Sequence, residues 1–262
     1  MDHKDAVSTW PAVGPKRIFV VGAGRSGTSL LTGLFRKSGL FMGDNPYRAR
    51  VANPLGFFED REVNDINEAL LAQLPCERFK QGQRWLASIS TTNDLVVTPE
   101  IRRRILTILA RGPMCIKDPR FCYTLDRWIR ELPHAEQYEV NCLCVFRHPS
   151  VVVTSVLKEL ETAPYLKDLN LTKSEILAAW CNQYRQVLKK QRRLGRWLFI
   201  QYEELFEPSG LARLRKFTGL EPDESFVQPD LRRSRGNERL SNDITDIYDS
   251  LIKLAKKGSW RA

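Results

Sequence analysis

Four short runs of hydrophobic residues predict four β-strands along the chain, at residues 17–21, 114–117, 140–146 and 197–202. Helical patterns separate these runs, with apolar residues recurring every three or four positions. Because each run is almost continuously apolar, the strands are expected to be buried on both faces, as in a parallel sheet. The pattern therefore predicts an α/β fold, a three-layer sandwich with a central parallel sheet and right-handed connections.

The length of 262 residues favours one large domain over two small ones, because a single core of this size buries enough apolar surface to be stable. Residues 1–15 are polar and end in Gly-Pro, so we expect a flexible arm followed by a single domain at residues 16–262. Two stretches, residues 75–98 and 161–171, interrupt the alternation of strands and helices. They are predicted lids or acceptor loops.

The formal net charge of +10 indicates an anionic partner, which could be nucleic acid, a membrane surface, a polyanionic acceptor or a phosphate-rich cofactor. Charge alone does not choose among these. No apolar stretch approaches the roughly 18 residues needed to span a bilayer, and no leader-like apolar segment opens the sequence. The six cysteines show no metal-binding spacing, so we expect reduced thiols in a cytoplasmic protein without a metal.

The segment between the first strand and the first helix, Gly22-Ala23-Gly24-Arg25-Ser26-Gly27, has the composition of a phosphate-binding loop. Backbone N–H groups and the helix dipole attract anions at such a position, and glycines let the backbone curl around phosphate oxygens. Hydroxyls at the start of the helix add donors. The predicted cofactor-binding residues here are Gly24, Arg25, Ser26, Gly27, Thr28 and Ser29.

Two nucleotide-binding motifs and a structural turn compete as interpretations of this loop. Gly22 and Gly27 have Walker A spacing, but Thr28 stands where the motif requires Lys, which weakens a nucleotide-dependent kinase. Gly22, Gly24 and Gly27 also fit the dinucleotide fingerprint of an NAD-dependent oxidoreductase, with Asp44 at the acid position. That motif alone is weak evidence, and a structural glycine turn is the third alternative.

Arg25-Ser26-Gly27-Thr28 resembles the 5'-phosphosulfate-binding loop of sulfotransferases that use PAPS (3'-phosphoadenosine 5'-phosphosulfate), in which a Lys or Arg precedes Ser-Gly-Thr. The resemblance implies a P-loop-like phosphosulfate-binding loop. It also implies PAPS as the donor co-substrate, leaving as PAP (adenosine 3',5'-bisphosphate), and no metal. The missing Walker lysine is then expected.

Two later segments extend the resemblance. Arg147 and Ser155 have the separation of the family's 3'-phosphate motif. His148 and Ser150 stand where the family more often has Asn and Asp, so the conformation of the turn between strand and helix is not predicted. Arg and Ser suit this task, since Arg presents a bidentate fork to phosphate and Ser a hydroxyl. Tyr202 opens a Tyr-Glu-Glu-Leu segment similar to one whose tyrosine approaches adenine, and packing of this ring against the following helix is the alternative.

The transfer chemistry needs cations for the developing charge and a base for the acceptor proton. Lys117, at the end of a strand, and Arg25 are the candidate cations. No histidine follows Lys117 at the position the soluble eukaryotic members use, so a carboxylate base is expected. Glu59 is the first candidate because its apolar neighbours are expected to desolvate it, and Asp60 and Asp118 are alternatives. Capping of the following helix is the competing role for Glu59 and Asp60.

These observations predict a sulfotransferase that moves a sulfuryl group from PAPS to a hydroxyl or amine of a small-molecule or glycan acceptor. A kinase, an oxidoreductase and a polyanion-binding protein are the alternatives. We expect no nucleic-acid or membrane partner, and a homodimer is left open. Residues 232–236 form a second candidate contact for the 3'-phosphate. The acceptor pocket is expected to have an apolar part, formed from Leu55, Phe57, Phe58, Trp85, Tyr165 and Leu166.

Overall fold

The computed structural model describes residues 16–49, 56–74, 89, 92–163, 170–228, 240–257 and 259–261. Several predictions fall outside these residues, namely the arm at residues 1–15, the basic segment 232–236, and the acceptor-pocket residues Leu55, Trp85, Tyr165 and Leu166. Within the described ranges, no helix is long and apolar enough to cross a membrane.

The described strands form one sheet in the order β2-β1-β3-β4-β5. They are β1 Arg17–Val21, β2 Met114–Lys117, β3 Asn141–Phe146, β4 Arg196–Gln201 and β5 Ser259–Arg261. The first four pair in parallel, and β5 pairs antiparallel with β4. The predicted parallel sheet is confirmed, with strand boundaries within one residue. The sequence did not predict β5, because three residues are too few to give a hydrophobic run.

Helices cover both faces of the sheet. They are α1 Thr28–Gly33, α2 Arg61–Leu71, α3 Pro99–Leu109, α4 Phe121–Ile129, α5 His134–Gln137, α6 Pro149–Thr162, α7 Lys173–Lys189, α8 Pro208–Thr218 and α9 Asn242–Lys257. Ile18 and Val20 face a core shared with α1 and α8. Phe19 and Val21 face a second core, which receives α2, α3, α4, α6, α7 and α9. The side-chain alternation of a buried strand thus produces the predicted three layers.

Local signals in the sequence fix where several helices begin. Prolines occupy the first turns of α3, α6 and α8, where the missing N–H is not needed. Thr172 and Glu175 form a capping box at the start of α7, each side chain accepting from the other's backbone N–H. These caps satisfy backbone donors that would otherwise lack partners.

The strand order creates a crevice between the carboxyl ends of β1 and β3. The chain leaves β1 for its neighbour β2 on one side, and it leaves β3 for β4 on the other side. The helices that follow these two strands lie on opposite faces, since α1 belongs to one core and α6 to the other. Ligands of open α/β sheets bind at such a switch point.

Candidate active site

The loop from Gly22 to Gly27 follows β1 and lies at this switch point. Its backbone includes two left-handed residues, Arg25 with φ 65° and Gly27 with φ 98°. A side chain at position 27 would meet the aromatic ring of Tyr202, because an added Cβ would lie 2.2 Å from a ring carbon. Gly27 is therefore required both by its conformation and by the close approach of Tyr202.

The hydroxyl of Tyr184 on α7 holds the start of this loop in place. It accepts a hydrogen bond from the Ala23 backbone N–H at 3.2 Å and donates to the Val145 carbonyl at 2.8 Å. Burial raises the pKa of Tyr184 well above its usual value, so the hydroxyl keeps the proton that it donates. Sequence reasoning missed this residue because a tyrosine in an amphipathic helix carries no motif.

The predicted 3'-phosphate motif meets the loop in the second turn of α6. Arg25 Nε donates to Ser155 Oγ at 3.0 Å, although the two residues are 130 positions apart in the sequence. The same nitrogen lies 3.5 Å from Glu159 Oε2. The structure therefore brings Arg25 beside Ser155. The sequence analysis had grouped Arg25 with Lys117, as the two candidate cations for the developing charge.

Arg147 follows β3 directly, and its side chain is buried, with 6% of the residue exposed. Its guanidinium lies over the ring of Tyr202, 4.2 Å from the centroid, and Nε lies 3.8 Å from Glu203 Oε1. A cation stacked on an aromatic face is held in orientation as well as stabilised. Tyr202 thus contacts both Gly27 of the loop and Arg147, so the three predicted segments form one continuous surface.

The turn after Arg147 forms in spite of the unusual residues at His148 and Ser150. His148 Nδ1 and Ser150 Oγ are 2.7 Å apart, and His148 precedes the first residue of α6. Partial burial lowers the pKa of His148, which favours the neutral ring beside this hydroxyl. The departure from the family pattern therefore still gives a hydrogen-bonded start to α6.

Lys117 ends β2, and its ammonium group lies in a buried, polar position. Its Nζ donates to Glu59 Oε1 at 2.5 Å, to the Phe57 carbonyl at 2.9 Å and to Ser29 Oγ at 3.2 Å. Ser29 also donates to the Phe57 carbonyl, at 3.1 Å. Through Ser29, Lys117 therefore ties the first turn of α1 to the segment that carries Glu59.

The surroundings of Glu59 differ from the apolar pocket expected from the sequence. Phe58 adopts a left-handed φ of 53° and packs its ring against Phe226, with centroids 5.5 Å apart. Glu59 forms a salt bridge with Lys117 instead of facing these rings, and 15% of its side chain is exposed. The nearest charged neighbour of Glu59 is thus the cation of Lys117. The apolar residues around position 59 in the sequence gave no indication of this contact.

Asp60, rather than Glu59, caps α2. Its carboxylate accepts from the backbone N–H groups of Glu62 at 2.9 Å and Val63 at 3.2 Å. It also accepts from the Asn45 N–H at 2.7 Å. These three donors occupy the carboxylate, which is 3% exposed, so its structural role is clear from the geometry.

Asp118 is fully buried and is likewise occupied by structural donors. It accepts from Asn64 Nδ2 at 2.7 Å, Asn67 Nδ2 at 3.0 Å and the Arg120 backbone N–H at 2.7 Å. Arg120 adds a salt bridge at 3.2 Å. The two amide side chains that hold Asp118, Asn64 and Asn67, come from α2, so sequence spacing around position 118 could not show them. Of the three candidate bases, Glu59 alone contacts Lys117 among the described contacts.

Metal ligands do not cluster in the described part of the chain: no group of three or more His, Cys, Asp or Glu side chains there could hold an ion.

Comparison with known proteins identifies the family. Residues 15–224 match the sequence model of the sulfotransferase family. The chain belongs to the sulfotransferase family. Among solved structures, the sulfotransferase domain from the Synechococcus PCC 7002 olefin synthase is similar, with a TM-score of 0.52 and 17% identity over 92% of this chain and 97% of that one. This likeness shows that the two share a fold.

A second similar structure is the sulfotransferase domain from the curacin biosynthetic pathway, with a TM-score of 0.49 and 15% identity over 91% of this chain and 98% of that one. A search of curated proteins finds no significant match. The predicted family and the P-loop-like α/β fold are confirmed by the family match and by the olefin synthase domain.

Two of the three glycines of the loop, Gly24 and Gly27, provide a matched test of this geometry. Gly27→Ala should lower the free energy of unfolding by about 2 kcal/mol, because the new Cβ is strained at its φ and meets Tyr202. Gly24→Ala should change it by less than about 0.5 kcal/mol, since no atom lies within 4 Å of the added Cβ. Urea unfolding of both variants measures the difference, and equal stabilities would contradict the packing of Tyr202 against the loop.

Proposed function

We propose that this sulfotransferase transfers a sulfuryl group from PAPS to a hydroxyl or amine of a small-molecule or glycan acceptor and releases PAP. The observation that carries the proposal is the hydrogen bond between Arg25 and Ser155. It joins two segments that the family resemblance assigns to the two ends of the same donor, the 5'-phosphosulfate and the 3'-phosphate. A loop that bound only a terminal phosphate would have no need of the second segment.

In this arrangement the 5'-phosphosulfate lies on the loop from Gly22 to Gly27, where backbone N–H groups and the hydroxyls of Ser26, Thr28 and Ser29 surround it. The 3'-phosphate lies near Arg147 and Ser155, and Arg supplies the stronger, charge-assisted contact. Tyr202, whose ring lies beneath Arg147, is the proposed contact for adenine. Arg25 reaches the 3'-phosphate side through Ser155.

The catalytic step is an in-line attack of the acceptor oxygen or nitrogen on sulfur. A bond forms between the acceptor and sulfur, the bond between sulfur and the bridging oxygen breaks, and its electron pair stays on the phosphate of PAP. Lys117 stabilises the charge that develops on this leaving group and on the sulfuryl oxygens. Glu59 accepts the proton that the acceptor loses.

The ion pair between Lys117 and Glu59 connects these two roles. In the structure the ammonium group of Lys117 donates directly to the carboxylate of Glu59. A bound sulfuryl group offers anionic oxygens to the same ammonium group and draws it from Glu59. The carboxylate then has an oxygen with which to accept the proton of the acceptor, so donor binding prepares the base.

Binding of PAP without magnesium tests the function against its alternatives. We expect PAP to bind more tightly than adenosine 5'-monophosphate (AMP), because the 3'-phosphate adds its own contacts, and magnesium to make no difference. Isothermal calorimetry with PAP, AMP, Mg-ATP and NAD measures this. Preference for Mg-ATP would favour a kinase, preference for NAD would favour an oxidoreductase, and either would contradict the proposal.

Arg147→Ala extends the same titration to a single residue. The variant should lose about 1.5–3 kcal/mol of PAP binding, the typical contribution of a hydrogen bond to a charged group. AMP and adenosine 5'-phosphosulfate, which lack the 3'-phosphate, should bind as they do to the unmodified protein. Arg103→Ala, at an exposed position on α3, is the control. Equal losses of binding free energy for all three ligands would show that Arg147 does not contact the 3'-phosphate specifically.

Glu59→Gln tests the base. Turnover should fall by about 10²–10⁴-fold because Gln cannot accept the proton, while PAP should bind at least as tightly. Asp60→Ala is the matched comparison: it should cost about 1–2 kcal/mol of stability through loss of the α2 cap and leave most of the turnover per folded molecule. Initial rates with sulfur-labelled PAPS and thermal melting distinguish the two. Full activity in Glu59→Gln would show that another residue is the catalytic base.

A further inference from the structure

Glu159 is a buried carboxylate that the proposed mechanism does not use. It lies on α6, four residues after Ser155, and 8% of the residue is exposed. A helix places residues four apart on the same face, so Glu159 and Ser155 are neighbours on the side of α6 that meets the phosphate loop. Carboxylates are rarely buried to this extent unless they are paired.

The cation that Glu159 contacts belongs to the donor site. Its Oε2 lies 3.5 Å from Arg25 Nε, the same nitrogen that donates to Ser155 Oγ at 3.0 Å. Arg25 occupies a left-handed backbone conformation that residues with a Cβ rarely adopt, so its position depends on its surroundings.

A carboxylate and a phosphate compete for the same guanidinium group. Both accept charge-assisted hydrogen bonds from arginine, and both are anions. Glu159 is buried and only 28% of the Arg25 side chain is exposed, so solvent screens this pair incompletely, and the carboxylate cancels part of the attraction that Arg25 exerts on a phosphate. A 3'-phosphate that approaches Ser155 must therefore share Arg25 with Glu159.

We propose that Glu159 is an internal competitor of the donor's 3'-phosphate, which weakens the binding of PAPS and PAP alike. The inference rests on the proposed function, because it needs the 3'-phosphate to lie near Ser155. Attraction to the 3'-phosphate is the same before and after transfer, so it does not accelerate the chemical step. Strong attraction would instead retain PAP, and Glu159 keeps the product able to leave.

The test compares Glu159→Gln with Glu161→Gln, a change of the same kind at an exposed position on α6. Calorimetry without magnesium measures the Kd of PAP and of AMP for both variants and for the unmodified protein. We expect the Kd of PAP to fall about ten-fold in Glu159→Gln, and the Kd of AMP, which has only the 5'-phosphate on the loop that carries Arg25, to fall by a smaller factor. Both values should stay unchanged in Glu161→Gln.

A PAP Kd that is unchanged or higher in Glu159→Gln overturns the inference, provided that the unmodified protein prefers PAP over AMP. If the unmodified protein shows no such preference, the proposed function fails together with the inference. Should Glu159→Gln not fold, as judged by thermal melting, Glu159→Asp replaces it. This variant retains the charge but withdraws it by one methylene group, so we expect a smaller gain, of about three-fold, in PAP affinity.

Discussion

The alignment of three parallel strands is the constraint on which the rest of the site depends. Val20 of β1 pairs with Lys117 on one side and with Leu143 of β3 on the other. This register puts Lys117, the phosphate loop and Arg147 at the same edge of the sheet. Because α1 and α6 lie on opposite faces of the sheet, a crevice opens between the carboxyl ends of β1 and β3. Side chains from distant parts of the sequence lie close together there.

Within that crevice, each of the three principal cations lies close to a carboxylate. Lys117 lies 2.5 Å from Glu59, Arg25 lies 3.5 Å from Glu159 and Arg147 lies 3.8 Å from Glu203. The protein has a formal net charge of +10, yet the cations at the proposed donor site each have a carboxylate beside them. An isolated buried charge would be costly, so these pairs allow the site to form before any anion arrives. In the proposed function, donor phosphates and the sulfuryl group then exchange partners with these carboxylates.

The sequence predicted those parts of the molecule that depend on local or regularly spaced signals. The apolar runs located β1 to β4, and two short motifs singled out Arg25 and Ser155, although neither motif indicated the contact between these two residues. The partners that come from separate elements could not be predicted, namely Tyr184 behind the loop, Asn64 and Asn67 around Asp118, and Glu159 beside Arg25. Glu59 forms its salt bridge next to Phe58, whose backbone is left-handed and whose ring packs on Phe226, and the sequence pattern did not predict that conformation.

The central claim is that one adenosine bisphosphate spans the crevice, and a crystal structure of the protein with PAP tests it most directly. The account predicts the 5'-phosphate within hydrogen-bonding distance of the loop from Gly22 to Gly27. It predicts the 3'-phosphate within the same distance of Arg147 and Ser155, and the adenine against Tyr202. A PAP molecule whose 3'-phosphate points into solvent, with Arg147 still covered by Tyr202 and Glu203, would contradict it.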